Sequence, residues 1–332
     1  MINVDEIFNG FVLDHIQAGR SMAIYHYLNL DELDCQVAII KNARSGKMGR
    51  KDIIKVEGPL DIVDFDVLGF IDHNITVDII KDGKLTEELD DIISEYCKRY
   101  PDILNVIELE NNVGLGPALK IGVNACKNEL IARMDSDDIS VKDRCEKQLI
   151  KYQEEPELDI VGSSIAEFID NINNVQAYRI LPESDEEIKK FARRRNPFGH
   201  PSVMLRKSKV LEAGNYRSYY LVEDYDMWIR MIEHEARCYN FQEILVFMRV
   251  STNFYKRRGG LKYLKSILKF KKEQLQNGFY SKKDFVISSC AHIIMCLMPN
   301  QIRDLLYRKI LRKKQNKKGR IHEKENKCNY TT

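Results

Sequence analysis

Leu130-Ile131-Ala132-Arg133-Met134-Asp135-Ser136-Asp137-Asp138 decides how this chain is read. The first five residues have the composition of a buried strand, and three carboxylates then follow within four positions. In an open α/β sheet, ligands bind at the carboxyl ends of the strands. Crowded carboxylates repel one another unless a positive charge sits among them, and oxygen ligands of this kind suit Mg²⁺ or Mn²⁺. A metal held there can bind a diphosphate and stabilise the charge that builds as a glycosidic bond to phosphate breaks. The other reading is a solvated acidic turn capping a helix.

Working outward, the pattern is strands separated by longer helices. Thr86 is placed to cap a helix whose first turn holds Glu87 and Glu88, and Leu89, Ile92, Ile93 and Tyr96 recur on one face. A strand is expected at Val106 to Leu109, and Gly114-Leu115-Gly116-Pro117 opens another helix. Such alternation predicts a mostly parallel, Rossmann-like α/β sheet with covering helices. The first eighty residues differ. Gly10 to Ile16, Gln36 to Ile40, Asp52 to Val56 and Ile75 to Ile80 read as strands, and Ser21 to Leu28 and Ile62 to Ile71 as helices. That order is the split βαβ arrangement of a ferredoxin-like α+β unit.

With 52 basic and 50 acidic residues the net charge is +2, so no overall field draws the protein to nucleic acid. None of the eight cysteines forms a Cys-x-x-Cys pair, which argues against a zinc ribbon and for reduced thiols. The first residues lack a basic and apolar leader, so the expected location is the cytoplasm. Phe285 to Pro299 is apolar over about fifteen residues, short of the roughly twenty that a spanning helix needs. Leu261, Tyr263, Leu264, Ile267, Leu268 and Phe270 mark an amphipathic helix. Beyond Pro299, apolar Ile302, Leu305, Leu306, Ile310 and Leu311 alternate with Arg303, Arg308, Lys309, Arg312, Lys313, Lys314, Lys317, Lys318 and Arg320. This reads either as a peripheral contact with the inner face of the membrane or as a helix packed on the core with a solvated basic tail.

Four ordered motifs carry a resemblance. Lys81-Asp82-Gly83-Lys84, Asn112-Val113-Gly114-Leu115-Gly116-Pro117, Ala132-Arg133-Met134-Asp135-Ser136-Asp137-Asp138 and Glu223-Asp224-Tyr225-Asp226-Met227-Trp228 resemble family 2 glycosyltransferases, closest to the amylovoran and exopolysaccharide branch. The likeness covers about residues 78 to 315. It implies a GT-A fold and transfer of a hexosyl group from a nucleotide-sugar donor, UDP-linked, to a polysaccharide or lipid-linked acceptor with inversion. It places Asp82 at the nucleotide base and makes Asp135 and Asp137 the Asp-x-Asp pair, with Asp137 most directly at the metal. Asp224 becomes the general base toward the acceptor hydroxyl. The residues themselves also allow Glu223 and Asp224 to be a helix start, with Tyr225, Trp228, Ile229 and Ile232 as its apolar face. Arg193-Arg194-Arg195 with His200 either faces phosphate or acceptor or is a solvated basic loop.

The usual apolar first strand of that family is missing. Instead Asn9 to Ile16, Ser45 to Glu57 and Gly69 to Val77 resemble the nucleotide-binding domain of the aspartate carbamoyltransferase regulatory chain, over residues 1 to about 84. That resemblance implies CTP, UTP or ATP as effectors at Asp14, His15, Lys51 and Lys55. Two departures stand out: Asp78 replaces the family's usual Asn, and the four-cysteine zinc domain of that chain is absent. The expected division is therefore 1 to 80, 81 to 255 and 256 to 332. The alternative function is a nucleotide-binding allosteric module of the pyrimidine-pathway type in a chimeric chain. Residues 1 to 84 in isolation are expected to bind CTP or ATP in EDTA, with an affinity that falls as salt screens the lysines. Titration calorimetry checks this, with Lys55→Ala expected to lose binding.

Overall fold

The computed structural model describes residues 76–141, 143–169, 171–250, 257–299, 302, 303 and 306, and the backbone of 22–26 and 35–42. Two strands, β1 (Met22–His26) and β2 (Cys35–Asn42), are followed by β3 (Val77–Asp82), α1 (Glu87–Arg99), β4 (Leu104–Leu109), α2 (Leu115–Ala125) and β5 (Leu130–Asp135). Next come β6 (Ile139–Ser140), α3 (Arg144–Glu154), β7 (Ile160–Phe168), β8 (Val175–Arg179), α4 (Asp185–Ala192), β9 (Met204–Arg206) and α5 (Lys207–Glu212). The described part closes with α6 (Glu223–Glu233), β10 (Cys238–Arg249), α7 (Gly260–Gln276) and α8 (Lys282–Leu297).

All ten strands share one sheet. β3 runs parallel to β4, and β7 runs parallel to β10. β9 is antiparallel to both β5 and β7, and β6 and β8 are antiparallel additions on β10 and β7. The sheet is thus mixed, with its parallel ladders on either side of β9. β5 is buried along Leu130 to Met134 and reaches the half-buried Asp135 only at its end, as its sequence implies.

The gap left by the missing first strand is filled. β2 lies parallel to β3 from Val37↔Val77 to Asn42↔Asp82 and parallel to β5 at Cys35↔Leu130 and Gln36↔Ile131. Backbone groups on those buried strands, which would otherwise lack partners, are therefore paired by a segment from the N-terminal region. Met22–His26 is a strand antiparallel to β2, where the sequence reading has a helix over Ser21 to Leu28. A short apolar run satisfies either period, and pairing decided it. The other elements read in residues 1 to 75 lie outside the described residues, as do Asp14, His15, Lys51 and Lys55. Asp78 is described. Its carboxylate is buried and accepts a bond from Asn105 Nδ2 at 2.7 Å, so its charge is engaged on β4.

Helix α1 begins where expected, with Leu89, Ile93 and Tyr96 buried, but the Thr86 side chain makes no capping bond to it. Core packing centres on Trp228, which is fully buried against Phe198 at 5.6 Å and His200 at 5.8 Å between ring centroids. A side chain of this size contributes roughly 3 kcal/mol on burial. α7 buries Tyr263, Ile267 and Phe270 against Val222, Tyr225 and Ile229, so the amphipathic helix read from 261 onward packs on the transferase-like core. Arg303, assigned by sequence to a basic outer face, is instead buried. Its guanidinium donates to the carbonyls of Met295 at 2.8 Å and Met298 at 2.6 Å, closing the C-terminal end of α8 where carbonyls lack helical partners. The remaining basic tail lies outside the described residues.

Between α7 and α8, the fully buried Lys271 ammonium donates to the Ser288 carbonyl and lies 2.8 Å from His292 Nδ1. Burial pushes the lysine down to about 7 and, helped by that lysine, holds His292 down to about 4. Between about pH 7 and the ordinary lysine range the unfolded chain binds the proton that the folded chain has lost, so stability rises with pH there. Lys271→Met is expected to flatten this rise, as read from thermal unfolding midpoints between pH 7 and 9.

Candidate active site

β3 and β5 end on the same edge of the sheet, each with an aspartate. Asp82 is buried at the end of β3, and its two carboxylate oxygens accept from the backbone N–H groups of Val113 at 2.6 Å and Gly114 at 3.1 Å. These amides lead into α2, so Asp82 clasps the loop at that helix start, where negative charge is favoured. Gly114 has a φ of 88°, which a side chain resists. Gly116 serves close approach: a Cβ there would stand 2.3 Å from the Arg217 carbonyl oxygen and 3.5 Å from Glu223 Cβ. Both glycines thus serve backbone geometry, and the second brings the start of α6 beside the start of α2.

At the end of β5 the three carboxylates are treated differently by their surroundings. Asp135 faces the buried Arg133 guanidinium through both oxygens, one contact being 2.7 Å from Nη1 to Oδ2. Asp138 is buried. Its Oδ1 accepts from the Arg249 backbone N–H at 2.8 Å, while Oδ2 has no hydrogen-bond partner. Asp137 lies between them, half-buried, with its backbone carbonyl accepting from Arg249 Nε at 3.1 Å. Burial, then the neighbouring Asp135 charge, pushes Asp137 up to about 7, and burial with the Asp137 and Asp135 charges pushes Asp138 well above the usual carboxylate range. Arg133 pairs with Asp135, and Arg249 and Arg257 offset the crowding at Asp137 only in part, so the turn carries more carboxylate than its arginines balance.

That imbalance is what a divalent cation relieves. Among the described residues no three His, Cys, Asp or Glu side chains form a closed cage. Mg²⁺ and Mn²⁺ do not need one, because a carboxylate or two suffices when substrate phosphate and water complete the shell. The crowded turn with an unpartnered buried oxygen fits such an ion.

The acidic motif before Trp228 divides its roles. Asp226 is fully buried and holds Arg230 through Oδ2, with contacts of 2.9 Å from Nε and 2.8 Å from Nη2. Arg230 in turn donates to the carbonyls of Ala213 and Asn215, so this pair fixes the preceding loop. Asp224 is half-buried in the first turn of α6, accepting from Asn196 Nδ2 at 2.6 Å and from the Tyr225 backbone N–H at 2.7 Å. Tyr225, Trp228, Ile229 and Ile232 are all buried, so the helix-start reading holds and leaves the half-buried Asp224 carboxylate at its first turn.

His200 packs among aromatic rings rather than standing in a basic loop. It is enclosed with Tyr216 and Trp228, its Nε2 is 3.1 Å from the Tyr216 hydroxyl, and burial with Arg133 nearby holds it well below its ordinary value. Of the arginine run, Arg194 lies 3.8 Å from Asp284 and Arg195 sits over the Phe191 ring at 5.3 Å. Sequence reasoning missed Asn196, Asp138 as a backbone anchor, and Arg249, which also stacks 4.5 Å over Phe168. A lone Asn after three arginines and an Arg at a strand end carry no local signal; only tertiary contacts single them out.

Comparison with known proteins follows the same division. Residues 67–214 match the model for glycosyl transferase family 2. Over 235 residues the chain is 36% identical to UDP-Gal:alpha-D-GlcNAc-diphosphoundecaprenol beta-1,3-galactosyltransferase of Escherichia coli, covering 71% of this chain and 84% of that one. This chain belongs to glycosyltransferase family 2. It is also 32% identical to the amylovoran biosynthesis glycosyltransferase AmsE of Erwinia amylovora, over 70% of this chain and 85% of that protein. The family 2 chain is a glycosyltransferase with an unusual start. Residues 2–90 match the allosteric domain of the aspartate carbamoyltransferase regulatory chain. There it is 49% identical over 89 residues to the Clostridium botulinum regulatory chain, spanning 60% of that chain's length. The two family matches overlap at residues 67 to 90, across β3.

Proposed function

We propose that this glycosyltransferase moves a hexosyl group from a UDP-linked donor to a lipid-linked or polysaccharide acceptor, with inversion and with Mg²⁺ or Mn²⁺ bound. The observation that carries the proposal is the crowded carboxylate turn just after β5, where Asp137 is pushed up to about 7, together with a half-buried, hydrogen-bonded Asp224 at the start of α6. The E. coli relative, whose name specifies a UDP-Gal donor and a diphosphoundecaprenol-linked acceptor, supports the substrate class.

Asp137 and Asp135 would hold the ion, which when bound supplies positive charge for the donor diphosphate as its bond to the sugar breaks. Asp82 shapes the nucleotide end by fixing the Val113 and Gly114 loop. Asp224 takes the proton from the acceptor hydroxyl as the new bond forms, since a sugar hydroxyl is a weak nucleophile at neutral pH. The Asn196 amide donates to one carboxylate oxygen and sets the direction of the other. One displacement with a base on the acceptor side inverts the anomeric centre.

A second reading concerns residues 1 to 80, where 49% identity to a regulatory chain favours a retained CTP, UTP or ATP effector site at Asp14, His15, Lys51 and Lys55. In this reading the N-terminal unit both lends β2 to the catalytic sheet and couples nucleotide level to transfer. Residues 81 to 255 form the catalytic unit, and 256 to 332, with α7 and α8 in the described part, the C-terminal unit.

Asp137→Ala is expected to abolish Mn²⁺-dependent UDP binding in calorimetry while far-UV circular dichroism is unchanged. Undiminished affinity would remove the metal role from this residue. Asp224→Asn is expected to keep UDP and Mn²⁺ binding but to lower transfer from UDP-galactose by about 10²- to 10⁴-fold, the usual worth of a positioned base. Wild-type turnover in that variant places the base elsewhere.

A further inference from the structure

Helix α8 is built inside out. Its protein-facing side carries Ser288, Ser289 and His292, with Ser288 and His292 meeting the buried Lys271, while Val286, Ile287, Ile294 and Leu297 stand 55%, 47%, 60% and 64% exposed. At a helical repeat, Val286, Cys290, Ile294 and Leu297 follow one another along a single outward face, and Cys290 is exposed as well. A surface helix in water ordinarily shows the opposite polarity. The apolar face also continues past the helix: Arg303 is packed on Gly259, which brings the first turn of α7 beside the end of α8, with Leu261 66% and Ile302 49% exposed.

Charge decides what covers this face. Between residues 256 and 320 lie nineteen of the chain's 52 basic side chains and only three of its 50 acidic ones, so a near-neutral protein carries a strongly cationic C-terminal segment. Lys282 and Lys283 are exposed at one end of the apolar face, and the basic run from Arg308 onward follows the other in sequence. The acid on α8, Asp284, is engaged by Ser281 at 2.7 Å and lies 3.8 Å from Arg194. A second copy of the chain would set two cationic segments against each other. A surface both apolar and anionic complements this one.

We infer that the outward face of α8 seats this enzyme on an anionic lipid bilayer, with the helix lying in the plane of the interface. At sixteen residues it is too short to cross, and no described helix is long and apolar enough to span a membrane. Apolar side chains enter the acyl boundary while lysines and arginines meet lipid phosphates, the arrangement of an interfacial helix. The donor and acceptor chemistry proposed above plays no part in this inference.

Co-sedimentation of the full chain with phosphatidylcholine vesicles, with and without 30% phosphatidylglycerol, tests it. The wild type is expected to partition at least tenfold more strongly onto the anionic vesicles. The double variant Ile294→Asp with Leu297→Asp is expected to lose at least tenfold of that binding with unchanged circular dichroism, whereas Ile180→Asp, at an exposed site just after β8 and outside the apolar face, retains it. Two results overturn the inference. The double variant binding as the wild type does would mean that the basic tail alone makes the contact. A wild-type dimer by light scattering that the double variant converts to monomer, with neither binding vesicles, would mean that a second copy covers the face. Because no turnover is measured, loss of the catalytic reading would leave each outcome unchanged.

Discussion

Three carboxylates cannot sit within one turn of chain at the end of a buried strand without compensation, and the architecture around β5 is organised by that constraint. Arg133 answers Asp135 from inside the same strand, and the Arg249 backbone answers Asp138 from the end of β10. Coulomb repulsion between neighbouring unit charges at about 4 Å is near 4 kcal/mol at the effective dielectric of a protein surface. Such an energy exceeds what one neutral hydrogen bond returns, so the turn leaves Asp137 and Asp138 inclined to keep their protons.

The start of α6 is held more conventionally. Buried Asp226 and Arg230 fix the loop at 213 to 215, and Trp228 locks α6 into the core, so Asp224 is presented from a rigid helix start. Its hydrogen bond from Asn196 involves a charged acceptor and is therefore among the stronger kind, about 1.5 to 3 kcal/mol. The neighbouring acids Asp224 and Asp226 look alike in sequence. One is a structural anchor, the other a half-open carboxylate, and burial separates them.

The N-terminal segment illustrates how a chain compensates for a lost element. A central strand with one unpaired edge is costly, since each buried N–H and C=O needs a partner. Cys35–Asn42 provides those partners in parallel register with β3. Pairing with β3 and β5 is possible because this run of Val37, Ile39 and Ile40 suits a strand buried on both faces, whatever family it derives from.

The sequence by itself determined the family, the α/β alternation from residue 86 onward, β5 with its carboxylate turn, and the apolar face of α6. All of these rest on local periodicity or on residues adjacent in the chain, where side-chain spacing alone reports the face. Other features were decided only by tertiary structure. His200 became a core residue because Tyr216 and Trp228 close around it, and Arg303 became a helix cap because α8 ends beside it. Met22–His26 became a strand because β2, β3 and β5 all pair with it, and Asn196 became the partner of Asp224 across 28 residues of chain. A side chain's charge, burial and direction depend on groups distant in sequence, and until the chain folds nothing local distinguishes a half-exposed aspartate from a buried one that holds a loop.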